Sequence, residues 1–426
     1  LLLEIGNDPK DSLSKKKIIL YDLIADVTDT LSRGGNEFKN FAMTEDGSQV
    51  AYVAERESKP KDLQKFYKLW YYKSGMDSAT MLADKNAVGL RVGMTISENG
   101  TTSFSKTGER LFFSVSPIQP PKDTSLVDID LVKLDIWHYK DDYLQTVQLK
   151  RLQEDLKRTY LAVYDFENNS LRQLGSEELP QIIQTDEGDG DTFIGVTDFG
   201  KRIESQWTGS TKKDVYAINV MTGQQKLVKE NLDGMLYPSS TGKYILWYDR
   251  EKKNYFAWDG NTTRNITEKI RVPLYDEEND MPNTPAPYGV MGWSEGDSAV
   301  FVYDRYDIWK VDMTKKEPPR NILTPYSGRK PRIITRYVST DSDEKFIKWD
   351  NGVLVRKFNE NTKKSGFDIL FEDVYHFEPD SSLLEAYSFS VPIKARNKGV
   401  LIYTKENFIE SPDLYVVRDT IACYDC

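Results

Sequence analysis

The chain has 426 residues, 39% of them hydrophobic and 12% aromatic, with a formal net charge of −10. That acidic balance excludes a nucleic-acid surface, which needs a basic face, and no apolar run approaches the ~18 residues that span a membrane. The 25 Tyr, 18 Phe and 8 Trp lean the composition towards β structure.

The N-terminal "LLLEIGNDPK" lacks a basic leader and a long apolar stretch, so it does not read as an intact signal peptide. It reads as the start of a piece cut from something longer. "SKKK" (14–17) reads as a solvated turn rather than an anion site. The first predicted element follows it, the hairpin "IILYDLIADVTDTLS" from Ile18. The same form returns as "LWYYKSGMDSATML" from Leu69, "YLAVYDFENNSLRQL" from Tyr160 and "VYAINVMTGQQKLV" from Val215. It returns again as "YFAWDGNTTRNIT" from Tyr255 and "IWKVDMTKKEPPRNIL" from Ile308. Each alternates apolar and polar residues around a turn bearing Gly, Asn or Asp, which signals a β-hairpin.

A second unit precedes several of these, a polar turn with Gly leading into an apolar strand. It reads "MTEDGSQVAYV" (43–53), "FSKTGERLFFSV" (104–115), "SSTGKYILWYD" (239–249) and "WSEGDSAVFVYD" (293–304). Together the units make four strands, repeated every ~40–55 residues, the period of a β-propeller blade. The segments 344–358 and 398–419 add a seventh and an eighth candidate. The fold class expected is therefore all-β, a β-propeller of four-stranded blades, about seven to eight in number, over residues 1–420. The ring is incomplete or closes in an unusual way, and residues 421–426 form a tail or the start of a linker. One helical insertion, residues 117–158, interrupts a blade, because Leu144, Val147, Leu149, Leu152 and Leu156 have helical spacing.

Within that insertion His138 stands beside Asp135, Asp141 and Asp142, but one imidazole with scattered carboxylates is weak evidence for a metal. Trp137 and Tyr139 are expected to anchor the insertion. "TDEGDGDTF" (185–193) gathers Asp186, Glu187, Asp189 and Asp191 around two glycines, yet lacks the later carboxylate that closes a calcium loop. It reads as a blade turn. Trp247, Trp293 and Trp309 read as blade packing. Neither a metal nor any other cofactor is expected.

Gly292, Ser294 and Gly296 spell G-x-S-x-G, the pattern of a hydrolase nucleophile elbow. An elbow needs a buried strand before the serine and a helix after it. Here three prolines precede it in "NDMPNTPAPYGVM" and strands follow, so Ser294 reads as a decoy in a turn equivalent to those of Ser48, Thr107 or Ser240. Of the two histidines only His376 lies downstream. Cys423 and Cys426, in the terminal "CYDC", have no second pair and read as incidental thiols.

"GWSEGDSAVFVYDRYDIWKVD" (292–312) resembles the blades of propellers attached to prolyl oligopeptidase family serine peptidases, in the dipeptidyl-peptidase and acylaminoacyl-peptidase branches. "LDIWHYKDDYLQTVQ" (134–148), "LYDEENDMPNTPAPYGVMGW" (274–293) and "FIESPDLYVVRD" (408–419) are similar to segments of the same enzymes. The resemblance implies a non-catalytic propeller that gates access of short peptides to a following α/β-hydrolase domain, which supplies Ser, Asp and His. It also implies a periplasmic or secreted setting, although no signal in the chain gives the compartment. The dipeptidyl-peptidase branch holds the substrate amine with paired glutamates, and Glu277–Glu278 is the pair to consider, although it lacks the helical context of that feature and reads rather as a solvated acidic loop. The alternative is a free-standing propeller that binds proteins or ligands. A propeller glycosidase would need acidic residues converging on a channel.

Overall fold

A β-strand alternates its side chains between two faces, so an all-apolar strand can be stable only if both faces are covered. The strand Gln49–Glu55 is of this kind. Its Val50, Tyr52 and Ala54 pack on Ile18 and Leu31 of one neighbour. Its Ala51 and Val53 pack on Leu111, Phe113 and Val115 of the other. The pattern repeats in Arg110–Pro117, whose Phe112 turns the other way onto Phe193 and Ile218. It repeats again in Ala299–Tyr303, with Val300 and Val302 against Leu246 and Tyr248, and Phe301 and Tyr303 against Val353 and Val355.

The structure, a computed structural model, describes residues 1–6, 15–59, 61–121, 134–323, 327–341, 344–350, 352–372, 384–395 and 398–418. His376, Cys423, Cys426, the 421–426 tail, and residues 122–133 of the insertion lie outside them. The chain divides into two compact units, Leu1–Leu232 and Asp233–Cys426.

The first unit holds four antiparallel sheets in chain order. The first has three strands, Leu2–Ile5, Lys17–Asp22 and Val27–Arg33. Lys17, expected in a turn, opens the middle one. The second sheet is a four-strand meander, Glu37–Met43, Gln49–Glu55, Lys68–Lys73 and Thr80–Ala83. In the third, Met94–Ile96 and Ser103–Phe104 form a broken first strand against Arg110–Pro117, followed by Tyr160–Asp165 and Ser170–Gln173. The fourth runs Gln181–Ile183, Thr192–Thr197, Lys213–Asn219 and Gln225–Leu232.

The second unit repeats the scheme. Its fifth sheet is Gly234–Pro238, Ile245–Asp249, Asn254–Trp258 and Thr263–Asn265. The sixth is Val290–Trp293, Ala299–Tyr303, Ile308–Asp312 and Arg320–Asn321. The seventh has three described strands, Ile333–Tyr337, Val353–Asn359 and Ser365–Leu370. In the eighth, Ser388–Phe389 and Ile393–Lys394 pair with one side of Val400–Glu406, and Asp413–Arg418 with the other. The fold is all-β and its repeating sheet is the β-propeller blade.

The helical insertion connects the second and third strands of the third sheet. Helix α1 (Gln145–Asp155) has no buried residue, so its apolar spacing does not face a core. Trp137 and Tyr139 are 64% and 86% exposed and anchor nothing. The tie is polar instead. The Asp142 carboxylate accepts from the Gly200 N–H at 2.9 Å and the Arg202 N–H at 2.7 Å. It also pairs with the buried Arg202 guanidinium at 3.3 Å.

Successive turns of a meander alternate between the two ends of its sheet. The links between strands one and two, and three and four, lie at one end. Those between strands two and three, and from one sheet to the next, lie at the other. Glu55 fixes one of the latter. Its carboxylate accepts from the Ser58 N–H and hydroxyl, both at 2.6 Å, from the Glu57 N–H at 2.8 Å and from the Asn36 amide at 2.8 Å.

Burial alone would raise the Glu55 carboxyl, but these bonds outweigh it and bring it from 4.5 to about 2. A carboxyl depressed on folding stabilises above its unfolded value and loses that contribution as pH falls towards its folded value. Glu55→Gln should therefore lower unfolding free energy by about 2–3 kcal/mol at pH 7. In urea titrations the difference should shrink between pH 4.5 and 2. A difference independent of pH would refute the assignment.

Candidate ligand-binding site

Ser294 belongs to the other end of the sheet, in the turn between strands one and two. Its N–H donates to the Ala299 carbonyl at 2.9 Å, and the Ala299 N–H donates back to Ser294 Oγ at 2.7 Å. The Asp297 N–H closes the turn on the Ser294 carbonyl at 3.0 Å. The same three bonds recur at Thr44 with Gln49 and Gly47, at Ser105 with Arg110 and Gly108, and at Ser239 with Tyr244 and Gly242. Ser294 is thus a blade-turn serine whose hydroxyl is engaged by its own turn. Its equivalents are Thr44, Ser105 and Ser239, not Ser48, Thr107 and Ser240, because the hydroxyl that caps the fifth N–H onward sets the register.

The acidic segment 185–193 is the longer version of that turn, with Gly188 N–H on the Thr185 carbonyl at 2.9 Å. Asp189 accepts from the N–H of Thr107 in the third sheet's turn at 2.9 Å and from its hydroxyl at 2.7 Å. Burial opposes ionisation of Asp189, yet these bonds hold its carboxyl below the usual range. Asp191 pairs with Arg110 at 3.0 Å. In the second unit Asp297 accepts from the Thr241 N–H at 3.2 Å and from the Thr241 hydroxyl. The third and fourth sheets, and the fifth and sixth, are therefore tied at their turn ends by a threonine–aspartate clamp. Asp297 stands where the other turns have Gly47, Gly108 and Gly242, and takes their left-handed conformation at φ 55°. His138 is exposed and lies 3.9 Å from Asp141 through Nδ1. Among the described residues no three His, Cys, Asp or Glu side chains converge as a metal site would require.

A cluster of charged groups of the second unit lies at the opposite end, where "DRYD" (304–307) links two strands of the sixth sheet. Arg305 donates Nε and Nη2 to Glu360 Oε1 at 3.1 and 2.5 Å. Its Nη1 pairs with Glu278 Oε1 at 2.8 Å. Arg332 pairs with Glu360 Oε2 at 2.7 Å and lies 3.6 Å from Glu278 Oε1. The Tyr306 hydroxyl donates to Glu360 Oε2 at 2.9 Å. The guanidiniums of Arg305, Arg329 and Arg332 surround the Tyr306 ring at 5.6, 5.3 and 5.9 Å.

Beneath them buried Asp304 accepts from the Tyr306 and Asp307 N–H groups at 2.7 and 2.9 Å and from Trp309 Nε1 at 2.8 Å. Arg329 reaches Asp304 at 3.2 Å. Burial raises the Asp307 carboxyl and lowers the Arg336 guanidinium. Hydrogen bonding from Arg305 holds Glu278 below the usual carboxylate range. Burial opposes ionisation of Glu360, but Arg305 and Tyr306 hold it low as well.

Of the glutamate pair considered in the sequence, Glu278 is in this cluster. The Glu277 N–H donates to Tyr288 Oη at 3.1 Å. The other members, Arg305, Tyr306, Arg332 and Glu360, are not singled out by reading sequence neighbours. Their signal is the arginine spacing in "SGRKPRIITR" (327–336), beside "DRYD". Chemically the cluster is a set of guanidinium forks suited to carboxylates.

No family model matches the chain, and neither does any curated protein. Solved structures do align with it. The β-propeller domain of the Trilobed protease from Pyrococcus furiosus is 10% identical at TM-score 0.31, over 97% of this chain and 88% of that one. Porphyromonas gingivalis dipeptidyl peptidase 4 is 12% identical at TM-score 0.39, over 95% of this chain and 55% of that one. Pyrococcus horikoshii acylaminoacyl peptidase is 12% identical at TM-score 0.31, over 96% and 56%. The chain spans little more than half the length of the latter two. No helix among the described residues is long and apolar enough to cross a membrane.

Ser294→Ala should cost about 1 kcal/mol in urea unfolding, the worth of one turn hydrogen bond. Ser294→Thr should cost much less, since Thr44 makes the same bonds. Equal losses in the two variants would show that the hydroxyl does not hold the turn.

Proposed function

We propose that this chain is the non-catalytic propeller of a prolyl oligopeptidase-like serine peptidase. In this reading the propeller admits short peptides to an α/β-hydrolase domain that carries the nucleophile. The supporting observation is the segment 274–293, one of the stretches that resemble such propellers. It forms the connection that brings Glu278 onto Arg305 at 2.8 Å, at the end of the sheet where the guanidinium forks gather. Peptides carry a carboxylate and an amine, and a cluster of paired arginines and glutamates offers partners for both. The engagement of Ser294 within its own turn supports placing the chemistry outside this chain.

Two measurements test the proposal. A fluorophosphonate serine-hydrolase probe should leave the purified chain unlabelled, as it should the Ser294→Ala variant. Labelling that vanishes in the variant would make Ser294 a nucleophile. The polypeptide read through beyond Cys426 should hydrolyse a tetrapeptide and leave a folded protein substrate intact. Comparable rates on both would overturn the gating role.

A further inference from the structure

We infer that Arg305 and Arg332 form a carboxylate-binding site for acidic peptides, and that Glu278 occupies it as an internal, exchangeable ligand. This deepens the peptide-handling reading and rests on it.

The two carboxylates on these arginines differ in kind. The Glu360 side chain is 12% exposed and bridges both guanidiniums from within the cluster. The Glu278 side chain is 64% exposed and meets the same guanidiniums from the solvent side. With both glutamates present, the charges of Arg305 and Arg332 are balanced. Remove Glu278 and one positive charge is left beside a carboxylate-shaped fork, with Glu360 fixed beneath it by Tyr306.

The segment bearing Glu278 is built to leave. Its stalk is closed by the Asp276 N–H on the Ala286 carbonyl at 2.9 Å and the Tyr288 N–H on the Leu274 carbonyl at 3.0 Å. Its tip is tied to itself, with Asn279 Nδ2 donating to Asn283 Oδ1 at 3.0 Å and the Asn283 N–H to the Met281 carbonyl at 2.8 Å. Met281 is 60% exposed. The tip meets the site through the Glu278 carboxylate, so a competing carboxylate releases it without breaking the stalk.

Arg332 takes the left-handed backbone region at φ 58°. The Glu360 N–H donates to its carbonyl at 2.9 Å. That bond fixes the Arg332 backbone beside the carboxylate its side chain meets.

An occupied site weakens an external ligand by the fraction of time it stands open. Fluorescence polarisation with three dansylated tetrapeptides reads this directly. One ends in a free carboxylate, one is its C-terminal amide, and one is an amide with an internal glutamate. The wild-type chain should bind one or both acidic peptides and not the neutral amide, and the responsive peptide identifies the carboxylate recognised.

Glu278→Ala should bind the responsive peptide about tenfold more tightly, as expected for a site internally occupied about nine-tenths of the time. Arg332→Gln should lose most of the binding. Unchanged affinity in Glu278→Ala, or acid binding insensitive to Arg332→Gln, would overturn the assignment, as would no binding to either protein. Failure of the peptidase reading shows elsewhere, as probe labelling at Ser294 or unselective proteolysis by the longer polypeptide.

Discussion

The second strands of the second, third and sixth sheets each lie between two neighbours of their own unit and are almost wholly buried. Val50, Phe112 and Val300 are each at most 1% exposed, and the residues beside them in the strand are buried against the opposite neighbour. Such a strand cannot carry polar side chains at low cost, since each buried polar atom must find a partner. Polar chemistry is therefore driven to the two ends of these sheets. The ends are not alike. The turn end is compact and closed by short repeated bonds to serine, threonine and aspartate. The connection end takes the long segments, including residues 117–158 and 266–289, and in the second unit the cluster of Arg305, Arg332, Glu278 and Glu360.

This division explains what could be read from the chain. The hairpins from Ile18, Leu69, Tyr160, Val215, Tyr255 and Ile308 are legible because an alternating strand, a polar turn and a second strand are all local. The apolar runs "VAYV", "LFFSV" and "AVFVY" are legible for the reason just given. The phase of the turns was harder. Equivalence between Thr44, Ser105, Ser239 and Ser294 depends on which hydroxyl caps the fifth N–H onward. The glycine that would mark it sits one position early in "SEGD", with Asp297 in its usual place. The "TDEGDGD" turn concealed the same geometry behind two additional residues and a surplus of carboxylates.

The charged site was legible only at one residue. Glu277 and Glu278 attract attention as neighbours in sequence, but the partners of Glu278 come from different connections of the unit. Arg305 stands between two strands of the sixth sheet, Arg332 between the sixth and seventh, and Glu360 between two strands of the seventh. Sequence adjacency carries no information about that convergence, which arises because successive sheets present their connections at the same end. The insertion is a parallel case. Trp137 and Tyr139 look like anchors by residue type, whereas the short, ordinary Asp142 makes the attachment, because a carboxylate can satisfy two backbone N–H groups and a buried guanidinium at once.

The threonine–aspartate clamp has a mechanical corollary. Between the third and fourth sheets, and again between the fifth and sixth, neighbours are pinned together at the turn end by directed bonds from Thr107 to Asp189 and from Thr241 to Asp297. Between the fifth and sixth sheets further polar ties, Arg264 to the Met313 carbonyl at 2.8 Å and Lys315 to Asp259 at 3.4 Å, lie at the same end, and the packed faces between them are apolar, which resists separation but has little directional preference. Relative motion of the fifth and sixth sheets is then a pivot about the clamp, like two slats riveted at one end. A pivot of about 3° carried along a strand of ~17 Å displaces the far end by roughly 1 Å. For the fifth and sixth sheets that far end is where the 266–289 connection crosses between them and where Arg305 receives Glu278, so the lever arm is longest at the contact that a ligand would have to open.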